Sequence, residues 1–445
     1  MDDPAVDKIV AYLALVATGE MPDTAQAAAR IFITDALGVG AAGVHAPWRS
    51  QVLDMARGGP GDATVWGGGE RLPLAAAAMV NAFQVHAQEY DPVHEGAVVH
   101  PLAAVLAGAL GWAERQGGIP GEKLLRAVVA GTDVAATLGL CSRAPMRFFR
   151  PANCSGFGAV AALALLADLD EGQTRDALGI YYGQCAGTMQ AHIEASPQLA
   201  MQMGFAARNA VAAIELARRG MPGPRAPISG AFGYFALFDG AADPAPFDEL
   251  GRVWRIAELS HKPFPSGRAT HGGIDGLQRL IAVHGVPAEQ VRAGRFLVPP
   301  LTHRLVGRPL LPGMSVAHAR LCLAYCGAVC LQRGTLGLDD FTAQALADPD
   351  TLALAARLTV IADDNPDPNA LAPQRVELDL ADGRTIACDV ADVLGSPARP
   401  LSAQAARQKF MTCVQHLPHS ANLWDAVATI QTLEDSAALA RLLAP

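Results

Sequence analysis

Apolar residues recur at intervals of three and four from Val6 to Arg219, and this spacing predicts helices that bury one face. Asp23-Thr24 offers a cap for one of them. The stretch 45–71 is Gly- and Pro-rich, and its triple glycine is interpreted as a turn before the next helix, because the lysine of a phosphate-binding loop is lacking. The predicted helices are Val6–Val16, Asp23–Val44, Leu72–Gln88, Pro101–Gln116, Gly121–Leu140, Gly156–Ala167, Gln173–Gly187 and Leu199–Arg219.

The pattern changes in the second half, where short alternating runs predict strands. Asp382-Gly383 between two such runs is a strong hairpin signal. Helical spacing recurs at Gly273–His284 and Ser315–Gln332, and again from about Ser402. The chain is therefore predicted to be mainly α, with an inserted α/β module. Its predicted strands are Arg295–Val298, Leu358–Ala362, Val376–Leu380 and Thr385–Val390.

Composition narrows the class of protein. The 445 residues are 51% hydrophobic and 17% charged, which excludes a disordered chain and allows a large core. The formal net charge is −9 and no basic run occurs, so nucleic acid is not an expected partner. An anionic substrate must then be held by a local basic pocket. The acidic N-terminus and the short apolar runs predict neither a signal peptide nor a membrane span, so a cytoplasmic location is expected.

The eight cysteines form no CxxC pair. Cys322, Cys326 and Cys330 recur every four residues, which places them on one helix face. Reduced thiols on such a face are typical of a packed core in the cytosol. An iron–sulfur or zinc site would need closer pairs or histidine partners.

Candidate chemistry concentrates in the stretch from His86 to Pro101. It holds three carboxylates and three imidazoles in an otherwise charge-poor chain. Pro92 and Gly96 interrupt any helix, and Pro101 restarts one. A polar loop between apolar helices is a common way to place titratable groups at a pocket wall, although a solvated loop with chance charges is the alternative. Its ionisable residues are His86, Glu89, Asp91, His94, Glu95 and His100.

A second concentration of ionisable groups runs from Lys262 to His271 and is fixed by two prolines. Lys262 and Arg268 can supply cations for a carboxylate, although a surface lysine and a salt-bridge arginine are the plainer interpretations. Arg308, with Arg304 beside it, is a weaker candidate for a carboxylate clamp, and Arg150 lies in the loop before Gly156.

Other site classes fit the spacing less well. Asp91, His94 and His100 could hold a divalent ion, but His94-Glu95 does not continue into a HExxH pattern and the ligand count is poor. The sequence also lacks the GxSxG turn of a serine hydrolase. We therefore expect neither a metal site nor a serine hydrolase.

The first loop also carries a family resemblance. Glu89-Tyr90-Asp91, His94 and Val99-His100-Pro101 resemble the loop of the MmgE/PrpD family, and Lys262-Pro263-Phe264-Pro265 resembles its Lys-x-aromatic-Pro segment. The resemblance extends over about residues 5–440. That family includes 2-methylcitrate dehydratase, cis-aconitate decarboxylase and iminodisuccinate epimerase. The sequence departs from the family pattern at Pro92, Val93, Phe149, Leu199 and Gly267.

The resemblance implies a large all-helical domain, residues 1–258 plus 403–445, and a smaller α/β lid domain, residues 259–402. It implies a homodimer, no cofactor, and a small carboxylate substrate. A carbanion-like transition state next to a carboxylate needs a base and nearby cations. The expected catalytic residues are His100 as first and His94 as second candidate base, Asp91 to orient an imidazole or act as an acid, and Lys262. The expected substrate-binding residues are Glu89, Arg268, His271, Arg150 and Arg308.

Three functions remain open on this basis. One is a lyase that eliminates water or carbon dioxide from a di- or tricarboxylate. Another is an epimerase of an iminodisuccinate-like dicarboxylate, which needs the same carbanion but expels no hydroxide, so the departures weigh less against it. The third is a catalytically silent relative that binds a carboxylate.

Overall fold

The computed structural model describes residues 3–445, and the chain divides into two compact units. The first unit combines the N-terminal segment up to Ala87 with Asp91–Leu259 and Ala403–Pro445. The second combines Gln88–Tyr90 with Ser260–Ser402. The prediction of a mainly α protein with small sheets is confirmed. The role of the second unit as a lid stays a prediction.

The N-terminal part of the first unit is helical, as expected. Its helices are α1 (Pro4–Thr18), α2 (Asp23–Ala42), α3 (Arg49–Ala56), α4 (Leu74–His86), α5 (Pro101–Gln116), α6 (Gly121–Leu140), α7 (Arg150–Leu166), α8 (Glu171–Tyr182), α9 (Gln190–Ile193) and α10 (Gln198–Arg218). Two short antiparallel strands, β1 (Ala63–Thr64) and β2 (Arg71–Leu72), lie between α3 and α4. The predicted turn at the triple glycine is confirmed, whereas α3 and the two strands of the stretch 45–71 were not predicted. The predicted helix Gln173–Gly187 was too long, since α8 ends at Tyr182.

Two helices of this unit meet backbone to backbone. A Cβ on Gly131 of α6 would lie 2.6 Å from the carbonyl oxygen of Gly158 of α7, and one on Gly158 would lie 2.2 Å from that of Gly131. Only glycine fits such an approach. The prediction that the Gly/Ala-rich segment after residue 156 is a closely packed helix is confirmed.

The helical segment Asp23–His45 is long and apolar enough to cross a membrane. However, 67% of its most apolar stretch is buried inside the protein, as in a core helix.

The second unit contains a four-stranded sheet of order β4-β3-β5-β6. Strands β3 and β4 are parallel, whereas β5 pairs antiparallel with β3 and β6. The predicted hairpin at Asp382-Gly383 is confirmed, and Gly383 takes a φ of 88°. The elements are α11 (His271–His284), β3 (Val291–Val298), α12 (Pro300–Val306), α13 (Val316–Ala319), α14 (Leu323–Arg333), α15 (Ala343–Leu346), α16 (Pro349–Ala355), β4 (Leu358–Ala362), β5 (Gln374–Leu380) and β6 (Thr385–Val390).

The predicted helix Ser315–Gln332 is broken in the structure. Cys322 has an extended backbone with a φ of −106° and forms a bridge with Gly307. This pairing interrupts the helix between α13 and α14. All three cysteines of the spaced set are buried, and no disulfide occurs within residues 3–445, which fits the predicted packing role.

The C-terminal helices return to the first unit as α17 (Ala403–Cys413), α18 (Ser420–Ala428) and α19 (Ala437–Leu442). Lys409 of α17 forms a 2.7 Å ion pair with Asp35 of α2, and both side chains are buried. The ring of Phe410 packs against Gly38, where a Cβ would lie 2.8 Å from it. The last segment of the chain is thus part of the helical core.

Candidate active site

The loop between α4 and α5 folds back on itself. The backbone N–H of His94 donates to the carbonyl of Val99 at 2.9 Å, and the reverse bond measures 3.3 Å. Val98 lies within this turn with a φ of 52°, and Glu89 has a φ of 50°. A β-branched residue in the left-handed region costs about 1–3 kcal/mol and persists only where its surroundings fix it. The predicted helix–loop–helix is confirmed, and its loop is tightly constrained.

One carboxylate at the centre of this loop receives two imidazoles. Oδ2 of Asp91 lies 3.1 Å from Nδ1 of His86 and 3.1 Å from Nδ1 of His100. The two rings are edge to face, with centroids 4.7 Å apart. Asp91 is fully buried and His86 nearly so. We call these three residues the imidazole cluster.

The electrostatics of this cluster define a tautomer. Burial alone would raise the pKa of Asp91, but the charges and N–H groups of His100 and His86 outweigh burial and hold that pKa well below its ordinary value. An ionised carboxylate only accepts, so each facing Nδ1 carries a proton. The neutral imidazole then has its lone pair on Nε2.

His100 is the cluster member that a solute can meet. Its side chain is 11% exposed, against 2% for His86 and 1% for Asp91. It is the N-cap residue of α5, directly before Pro101, and its carbonyl accepts a hydrogen bond from Ser155 at 3.0 Å. Backbone and ring are therefore both fixed by neighbouring groups.

His94 lies in the same loop but has different partners. Its Nδ1 accepts the N–H of Ala97 at 3.1 Å, and its Nε2 lies 2.9 Å from Oε2 of Glu258. Burial acts to raise the pKa of Glu258, but bonds from His94 and Arg255 lower it overall. Nδ1 therefore holds the loop together, and Nε2 ties it to Glu258 of the first unit. The role of His94 as second candidate base stays a prediction.

Arg150 and Phe149 stand where α7 begins. The buried guanidinium of Arg150 donates to the carbonyls of Ala97 at 3.3 Å and Ala144 at 3.4 Å, so it supports the loop. The ring of Phe149 lies 6.0 Å from that of His86. An apolar side chain thus borders the imidazole cluster at this departure from the family pattern. The substrate-binding role of Arg150 stays a prediction.

The second unit holds a separate group of charges. Nζ of Lys262 lies 3.0 Å from Oε2 of Glu89, and Lys262 is fully buried. Burial lowers the pKa of Arg308, and the charge of Glu89 opposes that shift. Burial lowers the pKa of Arg320 to about 10, again against the charge of Glu89. We call these four residues the cation cluster.

Arg320 was not among the predicted site residues, because it lies in no loop motif. Its carbonyl accepts the N–H of Gly267 at 3.0 Å. A Cβ on Gly267 would lie 2.4 Å from a side-chain carbon of Leu321, so no larger residue fits there without a shift. This close packing explains why a glycine occupies position 267, where the sequence departs from the family pattern. The only available signal was a lone arginine between apolar residues.

Arg268 and His271 form a network with the backbone of the second unit. Arg268 donates to the carbonyls of Leu394 at 2.7 Å and Val393 at 3.4 Å. Nε2 of His271 lies 3.1 Å from the carbonyl of Ser266, and its Nδ1 lies 3.3 Å from Arg268. These contacts stabilise the loop that begins at Lys262. The predicted role of both residues in substrate binding stays a prediction.

Within the described part of the chain, the imidazole cluster is also the one group of His, Cys, Asp or Glu side chains close enough together to hold a metal ion. One potential ligand atom each from His86, Asp91 and His100 lies within 4.8 Å of the others. Two imidazoles and a carboxylate suit several divalent ions. The 3.1 Å contacts are equally those of hydrogen bonds. His94, which the sequence analysis considered as a ligand, does not belong to this group.

Comparisons with known proteins cover nearly the whole chain. Residues 7–246 match the MmgE/PrpD N-terminal domain and residues 264–432 match the MmgE/PrpD C-terminal domain. The chain is 25% identical to a cis-aconitate decarboxylase-like protein, oryM, of Aspergillus oryzae, over 94% of this chain and 92% of that protein. It is 24% identical to a cis-aconitate decarboxylase of Aspergillus terreus, over 96% and 93% respectively. The chain therefore belongs to the MmgE/PrpD family.

Proposed function

We propose that this protein is a lyase that acts on a small di- or tricarboxylate, with His100 moving a proton at the carbon next to a carboxylate. The observation that carries the proposal is the imidazole cluster. Asp91 fixes the proton of His100 on Nδ1, which makes Nε2 the basic nitrogen. His100 is also the member with accessible surface. A positioned imidazole near neutrality is suited to general acid–base catalysis.

The cation cluster supports a carboxylate as the substrate group. Charge develops on carboxylate oxygens when an adjacent carbon loses a proton or carbon dioxide, and fixed cations stabilise that charge. Lys262, Arg308 and Arg320 provide three cations near one carboxylate, Glu89. Arginine offers a fork that matches carboxylate geometry. These cations make the second unit suited to binding carboxylates.

Within the lyases, we favour loss of carbon dioxide over loss of water. Loss of water requires an acid that protonates the departing hydroxide. The departures at Val93 and Phe149 put apolar side chains at two family positions, and the Phe149 ring borders His86. In a decarboxylation, the electron pair of the broken C–C bond enters the conjugated carboxylate as carbon dioxide leaves. His100, whose Nε2 has first taken a proton from water, then delivers that proton to carbon. The relatives named as cis-aconitate decarboxylases support the same choice.

The test is turnover in deuterated water with cis-aconitate, 2-methylcitrate and iminodisuccinate, followed by proton NMR and by release of carbon dioxide. We expect carbon dioxide and an unsaturated dicarboxylate that carries solvent deuterium. His284→Gln, at an exposed histidine, is the matched control for His100→Gln. A decarboxylation that proceeds equally fast in both variants would contradict the role of His100.

An epimerase is the second candidate, and the apolar Phe149 beside the imidazole cluster favours it as well. Epimerisation removes and returns a proton without expelling a group. Deuterium entering recovered iminodisuccinate, with no unsaturated product and no carbon dioxide, would support this candidate against the lyase. Binding of carboxylates, detected as thermal stabilisation, without any turnover would support the silent relative.

A further inference from the structure

A buried carboxylate that the proposed mechanism does not use lies on α6 of the first unit. Asp133 is fully buried, and both of its oxygens accept hydrogen bonds. Oδ1 accepts the backbone N–H of Ile256 at 2.9 Å, and Oδ2 accepts the hydroxyl of Tyr12, on α1, at 2.7 Å. Asp133 therefore joins the 3₁₀ turn Arg255–Glu258, which contains Ile256, to α6 and α1.

The same turn carries the partner of His94. Arg255 donates to both carboxylate oxygens of Glu258, at 3.0 and 2.9 Å, and also pairs with Glu249. Oε2 of Glu258 in turn lies 2.9 Å from Nε2 of His94. A line of contacts within the first unit thus runs from Asp133 through the turn to the loop of the candidate site.

The loop is closely packed where this line reaches it. His94 exchanges two backbone hydrogen bonds with Val99, the residue before His100. Helix α6 also packs on this pair directly, since a Cβ on Gly139 would lie 2.6 Å from a side-chain carbon of Val99. A displacement of the turn would therefore reach His94 and the backbone that precedes His100, because a close-packed region leaves little space to absorb it.

The charge of Asp133 depends on its burial and on its neighbours in the same line. Burial raises the pKa of Asp133 to about 7. Hydrogen bonds from Tyr12 and Ile256 act against this shift in pKa, as does the charge of Arg255, while the charge of Glu258 adds to it. Because the folded pKa of about 7 lies above the unfolded value near 4, an opening that hydrates this carboxyl becomes easier as the pH rises between the two values and then levels off.

We propose that Asp133 is a positioning residue: it fixes the turn Arg255–Glu258 and, through Glu258, the loop that carries His94. The turn and the loop then open together. They open more readily when Asp133 is ionised, because a charged carboxylate gains most from contact with water. The coupling itself is independent of the proposed lyase function, whereas its importance for His100 rests on that function.

The test is hydrogen–deuterium exchange of the full chain without substrate, read for residues 94–99 and 255–258 at pH 5.5 and 8 and corrected for the intrinsic rate at each pH. In the wild type, both segments should open at least about tenfold more readily at pH 8. Asp133→Asn keeps an acceptor for the backbone N–H but carries no charge, so this increase should be at least about fivefold smaller. The histidines of the loop are present in both proteins, so the difference isolates Asp133. Asp54→Asn, at an exposed ion pair of α3, is the matched control and should behave as the wild type does.

Glu258→Gln tests the order of the contacts. This variant removes the charge that faces His94 and leaves Asp133 in place. Residues 255–258 should therefore keep the pH dependence of their exchange, while residues 94–99 lose the part that follows Asp133. A merely structural role of Asp133 would instead change the exchange of all segments of the first unit alike, which would contradict the proposal.

Tyr12→Phe keeps the proposal testable if Asp133→Asn does not fold. It removes a hydrogen bond that lowers the pKa of Asp133, so the exchange of residues 94–99 should level off at a higher pH than in the wild type. Equal pH dependence of this segment in the wild type and Asp133→Asn would overturn the proposal. An unchanged levelling pH in Tyr12→Phe would overturn it as well, and neither result depends on turnover.

Discussion

The two charge clusters are built around one carboxylate each, yet they are suited to different tasks. Asp91 is fully buried and faces two imidazoles, side chains that can accept a proton at one nitrogen while the other donates to the carboxylate. Glu89 faces Lys262 and two arginines, which keep their charge. The first arrangement can move a proton, and the second can hold an anion. The difference lies in the partners of the carboxylate and not in the carboxylate itself.

This comparison predicts how the clusters respond to substitution. Changes in the imidazole cluster should act mainly on kcat. Changes in the cation cluster should act mainly on KM, because they alter substrate binding in ground state and transition state alike. The kinetic measurements use the substrate identified by turnover in deuterated water, and the unfolding measurement needs no substrate.

The largest effect is expected for His100→Gln. Glutamine is similar in size but has no basic nitrogen, so kcat should fall by roughly 10²–10⁴-fold while the melting temperature changes little. Measuring kcat and the melting temperature on the same preparation tests this prediction. A stable His100→Gln protein with full kcat would remove the imidazole cluster from the mechanism. Loss of wild-type activity on dialysis against EDTA, restored by one divalent ion, would instead make the cluster a metal site.

Lys262→Met should raise KM by about 10–100-fold with a smaller change in kcat, because it removes one cation from the anion-binding group and fills its buried volume. Steady-state kinetics at saturating substrate separates the two constants. Lys123→Met is the matched control, since Lys123 pairs with Asp168 at an exposed surface site. If kcat falls and KM stays constant, Lys262 acts on the reacting atoms and the comparison between clusters fails.

Asp91→Asn should reduce the free energy of unfolding at pH 7 by about 1–3 kcal/mol, because charge-assisted hydrogen bonds are lost. The pKa of Asp91 is depressed in the folded state, so its contribution is present above the unfolded value near 4 and is lost as the pH falls through the folded pKa. The difference in the free energy of unfolding between wild type and Asp91→Asn should therefore become smaller below about pH 4. Urea unfolding at pH 7, 4 and 3 measures it, and a constant difference would argue against an ionised Asp91.

Glu89→Gln gives the smallest expected effect and the sharpest contrast with Asp91. The glutamine removes the negative charge that competes for Lys262, so a carboxylate substrate should bind a few-fold more tightly and KM should fall. Titration with substrate or a product carboxylate measures this change. A rise in KM by tenfold or more would mean that Glu89 binds the substrate directly, as the sequence analysis expected.

Proline and glycine marked some elements well. The bounds of α5, α6 and β6 agree with the predictions, and Pro101, Gly121 and the Asp382-Gly383 turn supply the signals. Pro151 in the first turn of α7 was missed, so the prediction that Arg150 lies in a loop before a helix from Gly156 was wrong. The break before α14 was missed because it depends on the bridge between Cys322 and Gly307, which are distant in sequence.

The candidate site shows the same limit. The concentration of ionisable residues indicated the loop from His86 to Pro101, but the sequence spacing did not indicate which histidines contact Asp91. That choice depends on the fold-back between His94 and Val99, which directs His94 to Glu258 and leaves His86 and His100 for Asp91. Arg320 lies 58 residues beyond Lys262 in the chain, and no local sequence pattern indicates that the charge of Glu89 acts on it.

The packing of α17 on α2 determines when the first unit can be completed during synthesis. Asp35 meets Lys409 only after more than nine-tenths of the chain has been made, and Phe410 covers Gly38 at the same stage. Domains generally fold as their residues emerge from the ribosome. The contiguous stretch Ser260–Ser402 is therefore available for folding before the helical unit that surrounds it in the chain. A nascent chain that stops before α17 therefore exposes the side of α2 around Asp35 and Gly38 that the complete chain covers.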